Sequence, residues 1–428
     1  MKVSANCTQN RLVFFDNLRF LIVVFVVLQH SGNAYSNLEW WPVVDENTSI
    51  AVEWLNAFID AFAMPLLFYI AGYFAVPVIN KKGAAAFLSG KMKRLGVPWL
   101  ICILTICPIV PLVYHYTRDG FTVSASYWDL WVALMKNAAE FDIGIIVSMN
   151  RLMETNLFYQ RYMWFLSVLI LFFVIFSTVY RLKSIWFKSV DNSAAPAAPS
   201  VLRTLGILVA VGFLTFFCSS LVVGAMLFLT PDLVTPEPYF TLGNIVQFRP
   251  SRLFLFITYF TFGVLTFKYK WIERNKFPGH LPTWVISFVT ILIAYFYARD
   301  LMINGPEELK DSLGPLVFWF CLNFLAISTL GLAISLALKY WNRPTVINQN
   351  LASNSYNIYL AHYLFVLVFQ LVLLSLPAWP GLVKYGVTSV LSIMCAYMAC
   401  RFLLKPFPRI AAVSAIGLFA VMVFFIRI

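Results

Sequence analysis

Apolar residues fall into eleven stretches of roughly bilayer length, separated by short polar segments. The stretches lie at roughly 14–35, 54–79, 95–115, 162–180, 204–229, 252–267, 281–298, 313–338, 354–376, 383–400 and 410–426. Most reach the about 17–25 residues that a spanning helix needs. The pattern predicts an all-α polytopic membrane bundle of about 10–11 helices, because the run at 252–267 is short and that at 410–426 is the weakest. It predicts one membrane-embedded domain over residues 1–428, with no internal repeat.

The polar segments test this layout. With the N-terminus in the cytoplasm, segments 1–19, 80–94, 181–203, 268–280, 339–345 and 401–409 face inward. They hold 21 of the 31 Lys and Arg but only Asp16, Asp191 and Glu273 among the acids. The outward remainder has 10 basic residues and 16 acids, so the charge divides as +18 inside and −6 outside. Short cytoplasmic loops rich in Lys and Arg set orientation, and a misplaced early helix would scramble the split. The overall +12 is therefore a topology signal, and no nucleic-acid partner is expected.

Composition agrees: 61% of residues are hydrophobic, 17% aromatic and 12% charged, against about 25% charged in an ordinary soluble domain. The seven cysteines show no CxxC spacing, so neither a metal site nor a disulfide framework is expected. The first apolar run carries Arg19 and His30 and no A-x-A-like site follows it, so it is expected to be a span rather than a cleaved signal. A Pro/Ala linker, Asp191 to Ser200, lies on the inner side. The longest outward loop, about 116–161, contains Tyr127–Met135 with apolar residues at helical spacing. This stretch is either a helix on the outer leaflet or a lid over an outward site.

Candidate chemistry starts on the first run. Arg19 and His30 are eleven positions apart, about 1100° of helical rotation and about 16 Å of rise, so they share a face. Ionisable groups in hydrocarbon face a bundle interior or a wet cavity. His30 lies about 9 Å from the outer helix end, amid Gln29, Ser31 and Asn33. It is either a hydrogen-bonded structural histidine or a general base. Asp16 is three residues from Arg19 and is expected to pair with it. Asp60, the acid well inside an apolar run, reaches a similar depth of about 9 Å, so a His30–Asp60 catalytic pair is allowed by geometry.

On the inner side, Lys81, Lys82, Lys91, Lys93 and Arg94 form a loop without an acid. Its charges either set topology or clamp a phosphate-bearing ligand together with Arg19. Gly96 and Pro98 there read as a helix start with free N–H groups. His362, about 12 Å from the cytoplasmic end of its predicted run, shares a face with Tyr359. The pair serves either packing or the substrate path. His115 and His280 fall at helix ends and receive no role.

These residues resemble the acyltransferase-3 family of integral membrane proteins, and within it the type that succinylates periplasmic glucans. Arg19 and His30 match its Arg-x10-His motif, and Phe68–Phe74 resembles its Phe-Phe-x-Ser-Gly-Tyr-Phe segment. Lys91–Pro98 resembles an Arg-x-x-Arg-x-x-x-Pro element, and Met163–Leu166 and Ser355–His362 resemble two later segments. The resemblance implies a membrane O-acyltransferase, placed in a bacterial inner membrane. It would move an acetyl- or succinyl-class group from cytoplasmic acyl-CoA, a co-substrate with no further cofactor, to a glycan or other hydroxyl acceptor outside. His30 would be the catalytic base, while Asp60 as its partner rests on helix depth and not on the resemblance. Arg19 would bind the donor, and Lys91 with Arg94 would hold its phosphates. By position alone, Lys93 joins the donor site, and Asn33, Trp164, Tyr359 and His362 are candidates to line the substrate path. One groove would join the inner clamp to His30. Direct transfer and an acyl-histidine intermediate both remain open. Lys91 in place of the first motif arginine, Ala71 in place of a small hydroxyl residue and Ala63 before Met-Pro depart from the pattern, so substrate choice does not carry over. A transporter for an anionic or sugar substrate is the alternative.

Overall fold

A segment in hydrocarbon must satisfy its backbone groups along its own length, so apolar runs of this size fold as helices. The structure, a computed structural model, describes residues 12–118, 126–146, 153, 157–187, 197–229, 238–310 and 313–425. Among the described residues, 10 helices are long and apolar enough to cross a membrane. Helix α1 (Val13–Gly32) runs outward and α2 (Ile50–Lys82) returns. The third span, Ala84–Arg118, comprises α3 (Ala84–Lys91), a π-helical turn (Met92–Gly96), α4 (Val97–Thr105) and α5 (Ile109–Arg118). Helix α6 (Tyr127–Ala139) lies in the outward loop. The remaining spans are α7 (Trp164–Leu182), α8 (Val201–Leu229), α9 (Pro250–Lys268) and α10 (Leu281–Asn304), followed by α11 (Leu313–Tyr340), α12 (Val346–Leu374) and α13 (Gly381–Ala399). The shorter α14 (Pro408–Phe425) follows them.

Two helices begin well before their predicted apolar runs. Helix α12 starts at Val346, capped by Thr345, whose Oγ1 accepts from Asn348 N at 3.1 Å. Its first two turns are rich in Asn and Gln, so hydropathy alone hides them. The predicted helix start near Gly96 is also corrected, because the chain is already helical from Ala84. The Val97 N–H is spent on the Met92 carbonyl, so the expected free N–H groups for an anion are absent there. Pro98 has no N–H to give the Arg94 carbonyl four residues back, and the Tyr356 hydroxyl donates to that carbonyl at 2.9 Å.

The helices α2 and α9 approach most closely. A Cβ on Gly72 would lie 2.0 Å from the Phe260 carbonyl oxygen, and one on Gly263 would lie 2.1 Å from that of Tyr69. Small residues allow such backbone contact between membrane helices, which explains the glycine in Phe68–Phe74. Helix α1 sits centrally, packed on α2, α11, α12 and α13.

The outward side adds a small antiparallel sheet that helical patterning did not predict: β1 (Ile143–Ile146), β2 (Tyr239–Leu242) and β3 (Val246–Phe248), in that order. The three-residue connection from β2 to β3, Gly243 to Ile245, places Gly243 and Asn244 at positive φ, as tight hairpins require. Helix α6 docks on α4 and α14: Trp131 Nε1 donates to the Leu104 carbonyl at 2.9 Å, and its ring lies 5.3 Å from Phe419. Residues 191–196 of the Pro/Ala linker lie outside the described residues. Its described end is held by Ala197 N donating to the Arg274 carbonyl at 2.9 Å.

Candidate active site

The last carbonyls of an α-helix have no N–H of their own to accept from, and α1 ends at His30, Ser31 and Gly32. Gln370 on α12 donates its Nε2 to the His30 and Ser31 carbonyls at 3.0 and 3.1 Å. Ser36 donates to the Gly32 carbonyl at 2.6 Å. The Gln370 Oε1 in turn accepts from Trp41 Nε1 at 2.9 Å. That bond holds the Trp41 ring against His30, with centroids 5.8 Å apart and planes at 24°. Tyr363 meets the His30 ring edge-on at 5.2 Å.

His30 Nδ1 lies 2.9 Å from Nε2 of His362, and His362 Nδ1 lies 2.7 Å from the Tyr359 carbonyl. A carbonyl only accepts, so His362 Nδ1 carries the proton and a neutral His362 presents a lone pair at Nε2. The His30 Nδ1 must then donate. This leaves the lone pair of His30 on Nε2, the arrangement a general base requires. Two expectations change here. His362 does not line the path, being fully buried behind His30, and its helix starts eight residues earlier than predicted, which brings it to the depth of His30. Asp60 does not partner His30 either. Its carboxylate takes Arg252 at 3.0 Å and Arg249 at 3.9 Å, because two guanidiniums from the start of α9 outcompete a neutral ring for a carboxylate.

His30, half-buried, opens onto a cavity of about 490 Å³, within the usual range for small-ligand sites. Asn33, Asp60, Trp164 and Tyr359 also line it. Asn33 is fixed by Asn56, whose Nδ2 donates to its Oδ1 at 3.1 Å. None of the residues of α6 contributes to the walls, so α6 forms no lid. Sequence reading missed four arginines here, Arg161, Arg249, Arg252 and Arg299, which enter the charge balance only as outward residues. The spacing of Arg249 and Arg252 around Pro250, three apart at a helix start, is the signal that marks two of them.

Toward the cytoplasm the cavity walls end at Val26, Met64, Phe165, Phe256 and Tyr359. This floor is tied across by the Tyr359 hydroxyl donating to the Tyr162 carbonyl and the Tyr162 hydroxyl to that of Leu360. The donor candidates lie below it and are not among the walls, so the single groove predicted from inner mouth to His30 is closed in this structure. Arg19 does pair with Asp16, at 3.0 Å, and its Nε also donates to Ser355 Oγ at 3.4 Å. Lys91 Nζ sits 4.1 Å above the Phe173 ring, within electrostatic range of Arg19 and Arg94, and the Arg94 guanidinium lies 6.0 Å from the Tyr356 ring. Lys93 is exposed. Three of the four donor candidates thus gather at the inner ends of α1 and α12. Among the described residues no group of His, Cys, Asp or Glu is arranged to hold a metal ion.

The family described as Acyltransferase domain matches residues 12–401. The chain is also similar to Glucans biosynthesis protein C of Salmonella paratyphi B and of Salmonella enteritidis. It is 25% identical to each over 263 residues, which cover 56% of this chain and 65% of each relative. It therefore spans just under two thirds of the length of the curated relatives it matches. No solved structure matches it.

Proposed function

The chain belongs to the acyltransferase-3 family of membrane acyltransferases, and from that premise we propose that it moves an acyl group from cytoplasmic acyl-CoA to a hydroxyl of a glycan or related acceptor, with His30 as general base. The observation that carries this reading is the hydrogen-bonded line from the Tyr359 carbonyl through His362 to His30, which leaves Nε2 of His30 as a proton acceptor beside an outward cavity.

The donor's phosphates would sit by Arg19, Lys91 and Arg94, with Lys93 at the exposed edge, because guanidinium and ammonium groups pair with phosphate. Its extended arm would carry the thioester past the floor at Tyr359 to His30. The acceptor hydroxyl in the cavity then gives its proton to His30 Nε2 while its oxygen attacks the thioester carbon. Collapse of the tetrahedral adduct breaks the C–S bond, and the departing thiolate takes from His30 the proton that came from the acceptor hydroxyl. Asn33 and Trp164 would position the acceptor. Glucan is the acceptor class that the relatives' name favours, and the charge-derived topology fits a bacterial inner membrane. The transporter alternative gains no support from the family.

Purified His30→Ala protein tests the role. It is expected to lose acyl transfer by about 10²–10⁴-fold while still binding acyl-CoA. Retained turnover would refute it.

A further inference from the structure

The cavity walls hold four arginines, Arg161, Arg249, Arg252 and Arg299, against two carboxylates, Glu53 and Asp60. Glu53 is taken by Arg299 at 2.7 Å, and Asp60 by Arg252 and Arg249. Arg161 has no carboxylate partner among the described residues. It is 5% exposed, its Nη1 donates to Met153 Sδ, its guanidinium lies 5.4 Å from the Tyr159 ring, and its buried Nε has no partner. A guanidinium cannot shed its proton in a protein, so such a group at a cavity wall holds an uncompensated charge that an anion would neutralise.

The surrounding chain is built to keep it there. Arg161 has a φ of 53°, a left-handed backbone rarely adopted by residues with a branched or bulky side chain. The preceding Gln160, wholly buried, is locked on three sides. Its backbone N–H donates to Gln247 Oε1 at 2.9 Å, its Nε2 to the Asn244 carbonyl at 3.1 Å, and its Oε1 accepts from Trp99 at 3.2 Å. A fixed turn thus points a cation into the cavity instead of outward. His30, Arg161 and Tyr363 line the same cavity, and the Tyr363 ring meets that of His30 edge-on at 5.2 Å, so an anion on Arg161 shares the cavity with the base.

We infer that Arg161 is an oxyanion subsite of this cavity, receiving a carboxylate or phosphate carried by a substrate whose reacting atom sits at His30. Two sources share that chemistry: a free carboxylate at the far end of the acyl group, or an acidic substituent on the acceptor. The location beside His30 rests on the acyltransferase reading, whereas anion binding does not.

The test begins without turnover. Thermal unfolding of the purified full chain is measured in millimolar sodium succinate or phosphate and in chloride of equal ionic strength. Wild-type protein is expected to be stabilised by the oxyanions beyond chloride, and Arg161→Gln is expected to lose that increment. No difference from chloride, or equal protection of the variant, overturns the inference. Should Arg161→Gln fail to fold, Arg161→Lys keeps the charge but loses the planar fork, and the half-saturating anion concentration is expected to rise about tenfold, a change of about 1.4 kcal/mol. An unshifted value overturns it. Steady-state kinetics of Arg161→Lys then separates the sources. A KM rise confined to succinyl-CoA over acetyl-CoA places the anion on the acyl group. A rise confined to a uronate-bearing over a neutral oligosaccharide places it on the acceptor. KM values unmoved in both series overturn the assignment to a substrate. Intact anion binding in a protein with no acyl transfer would instead count against the acyltransferase reading.

Discussion

Replacing His362 by phenylalanine removes the acceptor that fixes the His30 tautomer, and the structure sets the size of the effect. In the present arrangement His362 Nε2 accepts from His30 Nδ1 at 2.9 Å. The other His30 tautomer would set two lone pairs against each other, because the Tyr359 carbonyl holds the His362 proton on Nδ1. Two buried acceptors would then lack a donor. At about 1–3 kcal/mol for each such group, the correct tautomer is favoured by roughly 2–6 kcal/mol, or about 30- to 20,000-fold. His362→Phe abolishes that preference, which by itself costs about twofold, and leaves the Nδ1 proton of the His30 imidazolium formed in the transition state without its acceptor, at about 1–3 kcal/mol. Together kcat for acyl transfer is expected to fall about 10- to 300-fold, with KM for acyl-CoA little changed. His362→Gln retains an oxygen acceptor and is expected to recover part of the loss, which separates tautomer control from misfolding. The assay is release of free CoA thiol from acyl-CoA in the presence of acceptor. Because the two histidines act as a unit, His30→Ala with His362→Phe should be no slower than His30→Ala alone. A folded His362→Phe protein with wild-type kcat would refute the relay and leave His362 as packing.

Two further outcomes follow from the fold and the inner charge cluster. Gly72→Ala drives a Cβ to 2.0 Å from the Phe260 carbonyl, so its unfolding midpoint in detergent should drop by an amount equivalent to about 1–3 kcal/mol of overpacking. An unchanged midpoint would show that α2 and α9 can separate freely. Charge reversal of Lys91 and Arg94 to Glu should weaken acyl-CoA binding at least tenfold by titration calorimetry, or about 1.4 kcal/mol. Unchanged affinity would leave those residues as topology determinants alone.

The bundle is legible in the sequence because hydrocarbon imposes one simple demand, a long apolar helix, that hydropathy reports directly. The same instrument fails where helix continues through polar residues. The first turns of α12 carry Asn348, Gln349 and Asn350, and this early start moves His362 from a shallow position to the level of His30. Arg19 and His30 were visible because both lie in one run and share a face, and in the structure both contact α12. Partners from different runs were not visible. Depth alone allowed Asp60 to reach His30, yet Arg249 and Arg252 on α9 claim that carboxylate. No periodicity within α2 could reveal them. Arg161 was hidden for another reason: its place in the cavity comes from a left-handed turn held by Gln247 and Asn244, which lie more than 80 residues away in the chain.

The closed floor can open in one of two ways, and the contacts rank them. Arg19 and His30 are about 16 Å apart along α1, and Ser355 and His362 about 10 Å apart along α12. Each pair nevertheless meets across the same seam, the long Arg19 side chain making up the difference. Sliding α1 against α12 would break the histidine pair, the Gln370 bonds to the end of α1 and the Arg19 contact together. Parting the start of α7 from α12 breaks the two tyrosine–carbonyl bonds of the floor, neutral bonds worth about 1 kcal/mol each, and leaves the histidine pair whole. A donor arm rising from Arg19 and Lys91, as proposed above, would therefore pass between Tyr162, Phe165 and Tyr359, with α1 and α12 as its fixed wall.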